Sequence, residues 1–447
     1  MKEKINRYVV HRSWDWEYPI ISHAEGIYLY DINNNKYIDG SGGSSVVITI
    51  GHGVKEVIDA MYDQAKKCSF YPTHIFTNEQ SLKLGKIISE NAPLGMRNNC
   101  KTWLTCTGTN AMDEAVKLAR QYFFEKKKTS KTVIITRWQS FHGNSISAAG
   151  YSGNTFRRQL YLPMFNDSPH IPPAYCYRCQ FGKNINNCQL DCAKALEKTI
   201  CQYGPDYVAA FIAEPVVGAS LGAVPAPDGY FKEIRRICDK YEVLFICDEV
   251  MTGWGRTGKM FGIDHWDVTP DIIATAKGMS SGYSPLAAVI AKNEVWDQLE
   301  SNNSPIRAGH TLSHNPVSSA AGIAVINYLI KNNLVRKADE MGDYFIKKLK
   351  DEILDLKIIG DVRGKGLMLG FEIVKDKETK EPFLVEDRMS KKIEREAFKR
   401  GLVIYSCTGC VDGAAGDMIL IAPPLIIEKD QIDKIIEILK DSINACV

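Results

Sequence analysis

The 447-residue sequence predicts an α/β protein: a large domain built on a mainly parallel sheet, with smaller α/β parts at its N- and C-terminal ends. Continuous apolar runs recur at Val133-Ile134-Ile135-Thr136, Val208–Ala213, Val243–Cys247 and Leu286–Ala291, and helical patterns lie between several of them. Unbroken apolar strands alternating with helices indicate a sheet covered on both faces. Two apolar segments also run into ionisable residues, Phe245-Ile246-Cys247 into Asp248-Glu249 and Ile272-Ile273-Ala274-Thr275-Ala276 into Lys277. In an open parallel sheet ligands bind beyond the carboxyl ends of strands, which makes these positions candidates for chemistry.

The length allows two or three domains with a large core. Lys plus Arg number 55 against 53 for Asp plus Glu, a net charge of +2. Such a balance gives no long-range steering toward nucleic acid or an anionic membrane. Met1–Arg7 lead into no long apolar region, and no run of eighteen apolar residues occurs, so a cytoplasmic location without a membrane partner is expected. Thirteen cysteines, an odd number spread along such a chain, point to mostly reduced thiols.

Residues 1 to about 60 read as an N-terminal segment. Gly26–Asp31 and Lys36–Gly40, joined by Asn33-Asn34-Asn35, read as a β-hairpin. Trp14 and Trp16 precede it, either as packing anchors or with one of them at a pocket mouth. Small residues follow at Ser41-Gly42-Gly43-Ser44-Ser45.

The large domain spans 61–325. Thr105–Ala111 ends a strand and opens a helix with apolar or small residues at Ala111, Ala115, Leu118 and Ala119. Gly108 leaves room for a close ligand, and the free amides of a first helical turn attract phosphate. The same Thr-Gly-Thr pattern also serves as an ordinary helix cap. Glu214 follows a buried strand in Ala213-Glu214-Pro215-Val216, and Phe141-His142-Gly143 follows another.

The C-terminal domain spans 326–447. It contains a charged helical stretch from about 335 to 352 and a strand entry at Val362–Gly370. Its last helix shows an amphipathic face of Ile432, Ile435, Ile436 and Leu439. No internal repeat or low-complexity linker separates the domains.

Lysine is seldom fully buried, and a lone ammonium in an apolar segment is costly. Lys277 could form an imine with the aldehyde of pyridoxal phosphate, or could simply extend its amine to water. Asp248 would suit the other requirement of that cofactor, a carboxylate beside the pyridine nitrogen.

The combination Asp248-Glu249-Val250, Gly253-Trp254-Gly255-Arg256-Thr257-Gly258 and Lys277-Gly278 resembles the class III aminotransferases, fold-type I pyridoxal-phosphate enzymes, and the likeness covers nearly the whole chain. The resemblance implies pyridoxal 5'-phosphate as cofactor, with Lys277, Asp248 and Glu214 as catalytic residues. It implies cofactor contacts from Gly108, Thr109, Phe141, His142, Val250 and Thr311, besides Asp248 and Lys277. Phe141 would stack on the ring, although a histidine beside a glycine, as at His142, is also a common structural feature. Thr311 would reach the cofactor phosphate of a partner subunit, in a homodimer or dimer of dimers. Asn110 stands where the family usually has glutamate.

The implied activity is ping-pong transfer of an amino group from an amine or ω-amino acid to a keto acid, pyruvate or 2-oxoglutarate. Val411–Leu425 looks like the ω-aminotransferase branch but lacks its customary arginine. An amino-acid racemase or epimerase on the same scaffold is the second reading, and a non-enzymatic cofactor- or metal-binding protein the third.

Cys176, Cys179, Cys188 and Cys192 form a Cys-x2-Cys-x8-Cys-x3-Cys array outside the general family pattern. Two close pairs on a short loop could close a tetrahedral structural zinc site. The alternative is four reduced thiols, some packed in the core. A disulfide is disfavoured by compartment.

Overall fold

The computed structural model describes residues 8–166 and 168–447. The reading of Met1–Arg7 lies outside them. A seven-stranded sheet forms the centre, in the order Cys100–Thr105, Ala287–Lys292, Ile272–Thr275, Leu244–Asp248, Val208–Ala213, Val133–Arg137, His170–Ile171. The last five of these strands run parallel; Ala287–Lys292 is antiparallel to both of its neighbours. Every residue of Val208–Ala213, Leu244–Asp248 and Ile272–Thr275 is buried, as expected of apolar strands covered on two faces.

Register decides where the ionisable residues emerge. Cys247 sits opposite both Ala213 and Ile273, and Asp248 opposite Ala274. Glu214, Asp248 and Lys277 therefore leave the sheet at one edge, from three adjacent strands.

The expected hairpin is present as Tyr28–Asp31 and Lys36–Asp39. The Asp31 carboxylate accepts the Asn33 and Asn35 amides at 2.8 and 2.9 Å, which shapes the turn. Its sheet is completed on one side by Ile21–Glu25 and on the other by Leu402–Val403, a strand from the far end of the chain. Trp16 packs edge-on against Phe398, with ring centroids 5.3 Å apart, while Trp14 is exposed. Neither lines the cavity described below, so packing is the role the structure gives Trp16.

The C-terminal sheet has the order Ile359–Lys365, Met368–Ile373, Ala415–Ile421, Tyr405–Val411. Helices Leu334–Glu352 and Lys429–Asn444 pack beside it, the latter burying Ile432, Ile435, Ile436 and Leu439. Among the described residues, no helix is long and apolar enough to cross a membrane.

Arg256 ties the parts together. Its fully buried guanidinium donates to the carbonyls of Ile48 at 2.7 Å, Leu367 at 3.1 Å and Pro423 at 2.5 Å. Burial lowers its pKa to about 9, with Asp39 working the other way.

Candidate active site

The corner at Thr107 is built by a helix start. Thr107 Oγ1 accepts the Asn110 amide at 3.2 Å and donates to Asn110 Oδ1 at 2.9 Å, a reciprocal cap for the helix Gly108–Glu125. Asn110 thus has a local role in place of the glutamate usual in the family. A Cβ on Gly108 would lie 2.8 Å from Val250 Cγ1, so glycine is required there. The cap takes the Asn110 amide and leaves those of Gly108 and Thr109 for an anion.

A cavity of about 150 Å³ opens between this corner and the strand ends. Gly108, Thr109, Phe141, His142, Glu214, Asp248, Val250 and Lys277 all line it. Thr311 does not; it lies on an exposed turn. Thr107 and Gly143, from the two motifs, also line the cavity, as do Val216, Gly218, Ala219 and Met251, which carry no chemical signal in the sequence.

Asp248 is buried. Its Oδ2 meets His142 Nδ1 at 2.8 Å and its Oδ1 accepts the Val250 amide at 3.0 Å. Burial opposes charge on His142, yet Glu214 and Asp248 hold its pKa above the usual value. Glu214 Oε2 accepts Arg137 Nη2 at 3.0 Å, and Oε1 accepts the Phe141 amide at 3.0 Å. Burial would raise the Glu214 pKa, but His142 and Arg137 keep it low. Arg137 was not singled out from sequence. The available signal was an arginine closing an apolar run, because a buried guanidinium demands a partner.

Lys277 sits at φ 43°, in the left-handed region. For a residue other than glycine this costs on the order of 1–3 kcal/mol and is characteristic of functional positions. Its Nζ is 3.5 Å from Ser45 Oγ. Burial lowers its pKa to about 8; Asp248 raises it and Arg157 lowers it further.

The donor set fits pyridoxal phosphate. A helix start could hold the phosphate, a buried carboxylate the ring nitrogen, an aromatic face the ring and a lysine the aldehyde carbon.

The zinc expectation is corrected. Among the described residues, no three His, Cys, Asp or Glu side chains are arranged to hold a metal. Cys192 is buried in the apolar core at the start of the helix Asp191–Tyr203, whereas Cys176 is exposed. Cys188 Sγ accepts the Leu190 amide at 3.3 Å within a local turn. The four thiols influence one another electrostatically, but burial first and then the neighbouring sulfurs raise the pKa of Cys176, and push that of Cys192 to about 12. All thirteen cysteines are free.

A sheet edge that gathers a lysine, a buried carboxylate and a helix start defines a pyridoxal-phosphate-type transferase of fold type I. The chain belongs to the class III aminotransferases: the family model "Aminotransferase class-III" matches residues 11–443. The uncharacterized aminotransferase YodT of Bacillus subtilis is 35% identical over 441 residues, covering 99% of this chain and 98% of that one. A leucine/methionine racemase of Thermococcus litoralis is 34% identical over 427 residues, covering 95% and 90%. An amine transaminase from an uncultivated Pseudomonas species, solved in its PLP-bound form, superposes with a TM-score of 0.91 at 26% identity, covering 100% of both chains.

Proposed function

We propose that this class III aminotransferase uses pyridoxal phosphate to move an amino group from an amine or ω-amino acid to pyruvate or 2-oxoglutarate, in two half-reactions. The observation that carries this reading is the convergence of Lys277, Asp248 and the Gly108–Thr109 helix start on one cavity. When bound, the cofactor supplies a carbon that condenses with amines and a ring that takes up the electron pair left when a substrate C–H bond breaks.

The chain's own residues do the rest. Gly108 and Thr109 would bind the phosphate, and Val250 would contact the cofactor from the cavity wall. Phe141 covers one face of the ring. Asp248, steadied by His142 and the Val250 amide, holds a proton on the ring nitrogen. Glu214, fixed by Arg137, anchors the Phe141 backbone and borders the substrate side. Lys277 Nζ, with its pKa near 8, exists partly as free amine close to neutral pH. It would take the proton from the substrate carbon and deliver it to the carbon that the cofactor's aldehyde supplies. Thr311 completes a partner's phosphate site in a homodimer or dimer of dimers. The proposed division is residues 1–60, 61–325 and 326–447, and the proposed location is the cytoplasm.

Adding an amino donor alone to the cofactor-loaded enzyme should give stoichiometric pyridoxamine phosphate. Screening amines and ω-amino acids against pyruvate and 2-oxoglutarate then identifies the pair. The racemase relative supports a second reading, in which the proton returns to the substrate carbon. Loss of substrate chirality without pyridoxamine phosphate would establish that reading and displace the first.

A further inference from the structure

Val411–Leu425 contains no arginine. A cation nevertheless stands beside the cavity. Arg157 is exposed on the short helix Thr155–Arg158, capped by Asn154. Its guanidinium carbon lies 4.7 Å from the centroid of the Phe141 ring, and Phe141 and Lys277 line the same cavity. Arg157 Nη2 donates to the Tyr405 hydroxyl at 3.1 Å, reaching from the central domain to the C-terminal sheet.

Three of the arginines around the cavity and Tyr405 are engaged by an acid or by carbonyls, whereas Arg158 faces Trp138, Phe165 and His170 and Arg12 acts on Tyr405 through its charge. Arg137 is paired with Glu214, Arg363 with Asp361, and Arg256 is surrounded by carbonyls. The hydrogen-bond partner of the Arg157 guanidinium among the described residues is a neutral phenol. Glu394, the carboxylate whose charge reaches Tyr405, is itself held by Lys391 and Ser406. Arg157 is also one of the charges felt at Lys277, where it adds to the lowering caused by burial. A planar guanidinium fork with open donors matches a carboxylate, which it can bind through two parallel hydrogen bonds.

We propose that Arg157, positioned by Tyr405 and the Phe141 face, binds the carboxylate of the amino-acid donor and of the keto-acid acceptor. This rests on the aminotransferase reading and narrows it to substrates that carry a carboxylate. Tyr405 is a positioning residue. The plain alternative is that Arg157 only braces the two domains.

The test uses the cofactor-loaded enzyme and donor half-reactions, so that no keto acid enters. Matched pairs are 4-aminobutanoate with butylamine and alanine with ethylamine. In Arg157→Gln the ratio of amino-acid to amine kcat/KM should fall about tenfold to a hundredfold, mostly through KM. Arg157→Lys should restore part of the ratio, and Tyr405→Phe should lower it less. Binding of propanoate, read from the absorbance shift of the bound cofactor, should weaken by a similar factor. Equal losses on amine and amino acid, with propanoate binding unchanged, would leave Arg157 as a brace and overturn the proposal. If the unaltered enzyme gives no half-reaction with any donor while propanoate binding still depends on Arg157, the carboxylate site stands and the aminotransferase reading falls.

Discussion

Asp248 faces the cavity, where its carboxylate meets a histidine; Glu249, the next residue, turns to the back of the same sheet edge. There it accepts the Gly262 and Ile263 amides at 2.9 and 2.7 Å and bonds the Thr252 hydroxyl. Alternation along a strand puts adjacent side chains on opposite faces. Glu214, at the end of the next strand, sharpens the contrast. Both glutamates are buried, but Glu214 has Arg137 and stays low in pKa, whereas burial pushes Glu249 up to about 7. A cation makes the difference, because amide and hydroxyl donors only partly offset the loss of water. The front of this edge is arranged around charge, and the back holds the turn Gly262–Trp266 in place.

If the front carries the chemistry, Lys277→Ala should show the largest effect, a fall in turnover of about ten-thousand-fold, the upper range for positioned proton transfer. Borohydride reduction of the unaltered enzyme followed by peptide mapping should place the pyridoxyl label on Lys277; a label elsewhere removes that residue from its role. Asp248→Asn should retain some cofactor but lose about a hundred- to a thousandfold in kcat, since a neutral amide holds the ring-nitrogen proton poorly. Near-normal kcat in that variant would erase the distinction between the two faces.

The back face should answer to pH instead. A carboxyl whose pKa is raised on folding stabilises the protein fully below its usual 4.5, and that contribution is lost as pH rises through about 7. Denaturant melts should therefore show unaltered protein losing stability between pH 5 and 8 relative to Glu249→Gln, by about 2 kcal/mol. A constant gap across that range would mean that Glu249 is charged throughout. The smallest effect belongs to Cys176→Ser/Cys179→Ser, expected to shift stability by less than about 0.5 kcal/mol. Elemental analysis should find no zinc in the unaltered protein; one zinc per chain, lost in that variant, would reverse the structural correction.

Lys277, Asp248 and Gly108 were legible because each lies where a strand or helix ends, and short motifs mark those ends. The same holds for the central sheet, whose strands announce themselves as unbroken apolar runs. Two things were not legible. The antiparallel direction of Ala287–Lys292 leaves no mark on an apolar run buried on both faces. Arg157 stands over the Phe141 ring and bonds Tyr405, 248 positions away, and no local pattern encodes that meeting. The cysteine array misled for a related reason: spacing brought the thiols into one neighbourhood, but Cys192 is buried in the core while Cys176 is exposed, and among the described residues no three of them are arranged to hold a metal.

Arg256 bears on the order in which the molecule is made. Ile48 leaves the ribosome long before Leu367 and Pro423, whose carbonyls occupy the other end of the same guanidinium. Until the last quarter of the chain has been synthesised, this charge has too few acceptors to leave water. The loop Gly253–Gly258 that carries Arg256, next in sequence to the cavity wall, is thus tied to acceptors from both ends of the chain.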